Sequence, residues 1–357
     1  MEDTAATQTP KNDCPPETTK RIRWKLLLLN CTIMAIGIIG GPLVTRLYFL
    51  HGGTRKWIPS WLQTVGFPIQ LIPLSIFYVQ NRTQERPTKF FAAPRLLIAS
   101  AGLGLLSGLD NYMYSLGLSY IPVSTSSLLF ATQLAFTAFF ALIIVRQKFT
   151  PYSINSVVLM TLGSIILGVH KSGDRLPGVS NAEYFLGFFV TLGGAALLGF
   201  IMPCMELAYT KSSKALTYAG LMQFQIGVGL FATVFCTIGM LVNNDFKAIP
   251  REAREYGLGE TKYYVVLVSC AVLFQMVFVG MLGVIFCFSS LFTSVFSSML
   301  LPLTEVAGVI AFHERFTAEK GTALALCLWG FVSYFYGAYK IHHNHKPKLP
   351  ESDAALV

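Results

Sequence analysis

The stretch YYVVLVSCAVLFQMVFVGMLGVIFCFSSLFTSVFSSMLLPLTEVAGVIAF (263–312) decides the fold, because Glu305 is its only charged residue. A membrane-spanning helix needs about 20 apolar residues, so this run is too long for one span. We therefore divide it near Ser289-Ser290. Similar apolar runs recur along the chain and predict ten spans, near 25–46, 60–80, 95–118, 122–145, 151–170, 183–209, 215–242, 262–286, 289–312 and 318–340.

The composition agrees with an integral membrane protein. Hydrophobic residues make up 53% of the 357 residues and charged residues only 13%. The net charge of +9 is compatible with nucleic-acid binding. However, Lys and Arg lie mainly in the short loops between spans, with the excess that the positive-inside rule expects on the cytoplasmic side. This distribution predicts that both termini are cytoplasmic and that nucleic acid is not a partner.

The chain also contains a weak internal repeat. The segment VRQKFT (145–150) follows the fourth span, and FHERFT (312–317) follows the ninth. The same offset pairs Gly163 with Gly330. Each half then holds five spans, an odd number, so the two halves must insert in opposite orientations. Many secondary transporters are built from such inverted repeats, with the binding site between them near the membrane midplane.

These patterns predict an all-α membrane protein with ten transmembrane helices in two inverted five-helix repeats. The first repeat covers 25–170 and the second 183–340, joined by a loop at 171–182. Residues 1–24 are predicted to form a disordered cytoplasmic tail, and 341–357 a second cytoplasmic tail. The polar segment 243–261 fits either a partly helical surface segment or an ordinary loop, and the sequence leaves both open.

Three acids lie inside the predicted spans and away from the span ends, namely Asp110, Glu206 and Glu305. An acid at bilayer depth costs about 2.5–3.5 kcal/mol on insertion scales, so a function is expected to offset it. Glu305 follows Pro302 by three residues, and a helix break caused by proline is tolerated best beside a cavity. We predict that Glu305 couples transport to protons. Glu206 is either a second proton-coupling residue or the partner of Lys211 in an interfacial ion pair.

The absence of Lys and Arg from the middle of the predicted spans limits the charge that the ligand is expected to carry. A phosphorylated sugar or a nucleotide calls for a buried Lys or Arg, whereas Arg46 and Arg95 lie at span ends, from which they can snorkel. A neutral, planar ligand needs instead an aromatic face and amide or carboxyl groups for its edge. The residues of these types that we predict to bind substrate are Trp61, Gln63, Asp110, Asn111, Tyr114, Gln133 and Gln223. Gln225 and Gln275 are further amide side chains within the predicted spans.

Several of these residues also have a purely structural interpretation. Trp61 is compatible with an interfacial aromatic belt, and Gln133 with a hydrogen bond between helices. Asp110 and Tyr114 are four residues apart and share a helix face, which favours a cavity; the structural alternative is that Asp110 bonds nearby backbone or Asn111. The sequence favours a ligand cavity without deciding among these roles.

No enzyme site emerges from the sequence. His51, His170 and His313 lie at scattered span ends, and no nucleophile–base pair accompanies them. The histidines at 342–345 fit a solvated tail better than a metal site, and the seven cysteines show no CxxC spacing. We therefore expect neither a catalytic activity nor a metal or cofactor.

Several long motifs resemble the plant purine permeases, a branch of the drug/metabolite transporter superfamily. They are GLDNYMYSLGLSYIPVSTSSLLFATQLAFTAFFA (108–141), YSINSVVLMTLGS (152–164), LPLTEVAGVIAFHERFTAEKG (301–321) and LALCLWGFVSYFYG (324–337). The resemblance implies the ten-helix inverted-repeat fold and proton-coupled import of adenine, cytokinins and related N-heterocycles, mostly at the plasma membrane. The expected partners are a purine-like molecule, protons and the lipid bilayer. Relatives also carry alkaloids or vitamin B6, so a facilitator or exporter of another neutral aromatic metabolite is the alternative.

Overall fold

The protein is described here by a computed structural model. The described residues are 17–82, 94–145, 151–169, 178–212, 218–287, 290–313, 316 and 318–344. Within these ranges the regular secondary structure is helical. The helices are α1 (Glu17–Leu50), α2 (Trp57–Val65), α3 (Leu71–Arg82), α4 (Pro94–Tyr120), α5 (Val123–Ala131), α6 (Gln133–Ile144), α7 (Pro151–Val169), α8 (Asn181–Ser212), α9 (Tyr218–Val242), α10 (Asp245–Glu255), α11 (Glu260–Cys287), α12 (Ser290–Phe312) and α13 (Ala318–Asn344).

The helices follow the apolar runs of the sequence. The uncharged run 263–312 is divided between α11, which ends at Cys287, and α12, which begins at Ser290. The first helix begins at Glu17, inside the segment predicted as a tail. Among the described residues, five helical segments are long and apolar enough to cross a membrane, namely Trp24–Leu50, Leu96–Tyr120, Asn181–Ala208, Met222–Val242 and Glu260–Ile285.

Two of the predicted spans are broken rather than continuous. The second span consists of α2, a 3₁₀ turn at Phe67–Gln70 and α3. Pro68 accounts for this break, because proline has no N–H to continue the helical ladder. The fourth span is divided between α5 and α6 at Thr132, whose hydroxyl donates to the Leu129 carbonyl at 2.6 Å. Such local bonding from a threonine side chain competes with the regular helical pattern.

The polar segment 243–261 contains a short helix, α10, so the helical alternative is the one observed. Asp245 at its start is buried and lies 3.1 Å from Nη1 of Arg55. Burial raises the pKa of Asp245, and the guanidinium of Arg55 opposes that rise. The ion pair therefore attaches the first turn of α10 to the loop that follows α1.

Glu252, near the end of α10, is the centre of a hydrogen-bond cluster. Its Oε2 accepts bonds from the hydroxyls of Tyr48 at 2.8 Å and Tyr263 at 2.9 Å. Its Oε1 accepts bonds from the backbone N–H of Thr54 at 2.6 Å and from the Thr54 hydroxyl at 3.0 Å. The cluster ties α10 to α1, α11 and the loop after α1, so α10 is a packed element and not an ordinary loop.

The long helices pack in pairs. α1 lies along α11, α4 lies between α8 and α9, and α5 contacts α12. In the pair of α7 and α13, a Cβ on Gly163 would lie 3.7 Å from Cβ of Leu326, and one on Gly330 would lie 3.5 Å from Cβ of Leu159. The two leucines are separated by the same sequence offset as the two glycines. The interface is therefore reciprocal, as it is across a two-fold axis.

The expectation that Arg46 snorkels from a span end is wrong. Because α1 continues to Leu50, Arg46 lies within the helix and is only 4% exposed. Its Nη1 donates to the backbone carbonyl of Leu118 at 3.1 Å. The guanidinium thus binds backbone at the end of α4.

Candidate functional site

A cavity of about 130 Å³ lies among the helices of both parts of the chain. An apolar cavity of about 150 Å³ is known to bind benzene, so this space is of the size that takes a small aromatic molecule. The described residues that line it are Ile38, Pro42, Gln63, Asp110, Asn111, Tyr114, Ser126, Phe130, Gln133, Leu198, Phe274, Val277, Phe278, Met281 and Ser297.

Asp110 and Asn111 place unsatisfied polar atoms at the cavity. Each residue is only 6% exposed. Among the described residues, no hydrogen-bond partner reaches Oδ1 of Asp110, Nδ2 of Asn111 or Oγ of Ser126. Burying a polar atom without a hydrogen-bond partner costs about 1–3 kcal/mol of stability. A ligand that supplies the missing donors and acceptors therefore gains binding energy at these three atoms.

Gln63 is held in place beside these residues. Its Nε2 donates to the hydroxyl of Ser115 at 2.9 Å, and both side chains are buried. That bond joins α2 to α4 and fixes the plane of the Gln63 amide. The amide oxygen is not used in the bond, which leaves an acceptor at the edge of the cavity.

Aromatic rings form the corner next to the polar atoms. The Tyr114 ring meets Phe130 edge to face, with ring centroids 4.9 Å apart. It meets Phe274 in the same manner, at 6.1 Å. Edge-to-face pairs of this kind are favourable beyond the area that they bury. Three helices, α4, α5 and α11, therefore present one fixed aromatic surface to the cavity.

The carboxyl and amide groups of the cavity come from one part of the chain. Every carboxyl or amide side chain among the described lining residues belongs to α2, α4 or α6. By contrast, α8 and α11 contribute Leu198, Phe274, Val277, Phe278 and Met281, which are all apolar. None of the described lining residues is Lys or Arg. The cavity thus offers hydrogen bonds to one edge of a ligand and apolar contact to its faces, without a counter-charge for a phosphate.

Metal binding has no support in the described ranges, where no group of three or more His, Cys, Asp or Glu is placed to hold an ion.

Comparison with known proteins identifies the family of this chain. The family model for purine nucleobase transmembrane transport matches residues 25–344. The chain belongs to the purine permease family.

Individual members of the purine permease family match over most of their length. Purine permease 3 of Arabidopsis thaliana is 48% identical over 319 residues, which are 88% of this chain and 91% of that protein. Purine permease 2 of the same plant is 47% identical over 341 residues, 91% of this chain and 95% of that protein. Probable purine permease 5 is 38% identical over 315 residues, 88% and 86% of the two chains. The resemblance read from the motifs is confirmed, and the relatives are named as transporters.

Five of the residues predicted to bind substrate meet at the cavity of this purine permease. They are Gln63, Asp110, Asn111, Tyr114 and Gln133. Asp110, Asn111 and Tyr114 come together because they occupy neighbouring positions on α4. Gln133 is the first residue of α6, directly after the break at Thr132. Their binding role stays a prediction, and their shared location agrees with it.

The other predicted residues lie elsewhere in the permease. Trp61 packs against Phe246 edge to face at 5.6 Å, and its Nε1 donates to the Thr237 hydroxyl at 3.0 Å. Gln223 lies on α9, next in sequence to buried residues that do not line the cavity. Glu206 is half-buried on α8 and is not a lining residue.

Glu305 belongs to α12, but its side chain lies outside the part of the permease that the structure describes. Proton coupling by Glu305 and Glu206 therefore stays a prediction.

The apolar lining residues were missed by sequence reasoning. On a membrane helix, an apolar side chain has the same chemistry whether it faces lipid or a cavity, so composition does not separate Val277 or Met281 from lipid-facing neighbours. One signal was present in α1, where Pro42 lies inside a helix that continues past it. Proline in a membrane helix is tolerated where surrounding groups satisfy the freed backbone, and Pro42 does line the cavity.

Proposed function

We propose that this purine permease is a proton-coupled importer of purine nucleobases and purine-like N-heterocycles such as adenine and cytokinins. The observation that carries the proposal is the cavity with unsatisfied Asp110 and Asn111 atoms on one side and an aromatic and aliphatic surface on the other. Protein amides read adenine through paired donor and acceptor groups. Enzymes that hold an isolated base likewise combine edge hydrogen bonds with stacking between apolar side chains.

Asn111 has the chemistry that this recognition requires. Its unsatisfied Nδ2 donates to a ring nitrogen, and the amide oxygen of Asn111 accepts from an exocyclic amino group. The hydroxyl of Ser126, also unsatisfied, and the Gln63 amide supply further bonds to the edge. Phe274 and Phe278 are apolar partners for the ring faces. A neutral, planar, nitrogen-rich ligand matches all of these groups at once.

The fold proposed for this carrier is ten membrane helices in two inverted repeats, 25–170 and 183–340. Helix packing supports it. The first long helix of the first half, α1, packs on α11 of the second half, and its counterpart α8 packs on α4 of the first half. The reciprocal glycine–leucine contacts of α7 and α13 have the same two-fold relation. Repeats arranged in this way rock against each other around a central site.

Proton coupling is proposed through a buried carboxyl group. A proton from outside neutralises Glu305, with Glu206 as the second candidate, and the neutral carrier then reorients with its substrate. The excess of Lys and Arg on one side of the spans supports cytoplasmic termini, and the family resemblance favours the plasma membrane.

Uptake of radiolabelled adenine into proteoliposomes tests the proposal. We expect accumulation above equilibrium when the outside is acidic, and loss of accumulation on addition of a protonophore. Uptake that only equilibrates, and is indifferent to both conditions, would contradict proton coupling. A Glu305→Gln carrier is expected to exchange adenine without concentrating it, and unchanged accumulation would exclude Glu305 as the proton site.

Competition measurements identify the substrate class. Unlabelled adenine and cytokinins are expected to compete with labelled adenine, whereas nucleotides are not, since none of the described lining residues is cationic. If only an alkaloid or a vitamin-like compound competes, or if net movement is outward, the chain is instead a carrier of another neutral aromatic metabolite.

A further inference from the structure

Gln275 is a buried amide that does not line the cavity, although its neighbour Phe274 does. Gln275 is 2% exposed and lies on α11. Its Nε2 donates to the backbone carbonyl of Gln63 at 3.1 Å and approaches that of Thr64 at 3.5 Å. Its Oε1 accepts a bond from Nε2 of Gln70 at 3.1 Å. These partners fix which end of the amide carries the nitrogen, because carbonyls only accept.

The carbonyls that Gln275 contacts belong to the last turn of α2, directly before the helix break. In a continuous helix, the Thr64 carbonyl would accept from the backbone nitrogen of residue 68, but Pro68 has no hydrogen there, and the Thr64 carbonyl accepts from the N–H of Gly66 instead. Backbone groups at membrane depth must find partners inside the protein. Gln275 supplies one from a different helix, so the end of α2 is held by a side chain of α11.

Gly66 allows α11 to approach the break. A Cβ on Gly66 would overlap Cγ of Gln275. The absence of a side chain at Gly66 therefore lets the Gln275 amide reach the carbonyls of Gln63 and Thr64. Three residues therefore act together at this end of α2. Pro68 ends the helix, Gly66 leaves room for α11, and Gln275 bonds the Gln63 carbonyl.

The consequence for the site concerns Gln63. Its backbone is held by Gln275, and its side-chain amide is held by Ser115 on α4 at 2.9 Å. The orientation of the Gln63 amide toward the cavity is thus set from both ends. We infer that Gln275 is a positioning residue for substrate recognition, which fixes the broken end of α2 so that Gln63 presents its amide to the ligand.

This inference rests on the proposed function, because it assigns to Gln63 a contact with the purine-like substrate. The positioning role of Gln275 also adds a link between the two halves of the chain, because α2 belongs to the first half and α11 to the second. Substrate geometry in the first half is therefore set by a side chain of the other half.

A double-mutant cycle in proteoliposomes made from the full chain tests the inference. The KM for adenine uptake is measured for Gln63→Ala, Gln275→Leu and the double variant, with rates normalised to folded carrier. Each single change is expected to raise KM about tenfold, the effect of one hydrogen bond. The double variant is expected to stay near tenfold, because Gln275 has no Gln63 amide left to position. Vmax is expected to change little throughout.

The matched control is Gln225→Leu on α9, another buried glutamine, which does not line the cavity. Its KM is expected to equal that of the wild type. If Gln275→Leu fails to fold, Gln70→Leu weakens the same network from its other end and is expected to show the same non-additivity with Gln63→Ala.

Two results would overturn the positioning role while leaving the proposed function intact. One is an unchanged KM for a folded Gln275→Leu carrier, and the other is a KM in the double variant near a hundredfold, the product of two independent effects. If wild-type carrier takes up no purine, or if Gln63→Ala has a normal KM, the proposed substrate contact fails and the positioning role fails with it.

Discussion

Replacing Glu252 with alanine is expected to destabilise the folded protein through α10. Glu252 is 8% exposed and accepts four hydrogen bonds, from Tyr48, Tyr263 and two groups of Thr54. Thr54 is exposed, so water replaces the carboxylate there. Tyr48 retains the Arg55 carbonyl at 3.2 Å as an acceptor. Tyr263 is fully buried and loses the acceptor that Glu252 provides.

The expected loss of stability follows from what happens to Thr54, Tyr48 and Tyr263 when the carboxylate is removed. An orphaned buried hydroxyl at Tyr263 costs about 1–3 kcal/mol, and the weaker bonding of Tyr48 about 0.5–1.5 kcal/mol more. The free energy of unfolding should therefore fall by about 1.5–4.5 kcal/mol. At roughly 2 °C per kcal/mol, the lower end of the range for large domains, the unfolding midpoint should fall by about 3–9 °C.

Thermal unfolding of the purified carrier in detergent measures this difference. Glu255→Ala is the matched control, because Glu255 lies on the same helix but is exposed, and its effect should stay within about 0.5 kcal/mol. Glu252→Gln should have an intermediate effect, since the amide keeps one acceptor oxygen. Equal midpoints for Glu252→Ala and Glu255→Ala would refute the view that α10 is held through this carboxylate.

Three further changes test other parts of the structure. Asn111→Ala should raise the KM for adenine uptake about tenfold, and an unchanged KM would remove Asn111 from the site. Trp61→Phe should leave that KM unchanged, since the indole packs on Phe246 and bonds Thr237; a raised KM would instead support the predicted stacking role. Gly163→Leu should lower the yield of monodisperse protein on size-exclusion chromatography, because it places bulk between α7 and α13, and a normal yield would contradict the close packing.

Hydropathy predicts where helices lie but not where they break. The division near Ser289-Ser290 agrees with a helix α11 that ends at Cys287 and a helix α12 that begins at Ser290, because apolar length alone requires two helices. The breaks in the second and fourth spans depend on Pro68 and Thr132, single residues that barely change the hydropathy of their segments. The helix α10 stayed undecided in the sequence because its packing depends on partners outside the helix, such as Tyr48, which is 204 residues away from Glu252 in the chain.

The candidate site is predictable where its residues share one helix. Asp110, Asn111 and Tyr114 are neighbours on α4, so their common location follows from helix geometry. Trp61 and Gln275 show the limit of such reasoning. An indole or an amide on a membrane helix is compatible with a ligand, a hydroxyl or a backbone carbonyl as its partner, and only the positions of α9 and α2 decide between them.

The restriction of the carboxyl and amide lining groups to the first half of the chain has a consequence for changing the substrate range. In the proposed binding site, hydrogen-bonding groups such as Asn111 would select the ring edge of the substrate. Residues such as Val277 and Met281 on α11, which also line the cavity, would limit the bulk of a ring substituent. Ring identity and substituent size are therefore adjustable on separate helices, and a library that varies only α11 should yield carriers for larger derivatives of the same heterocycle.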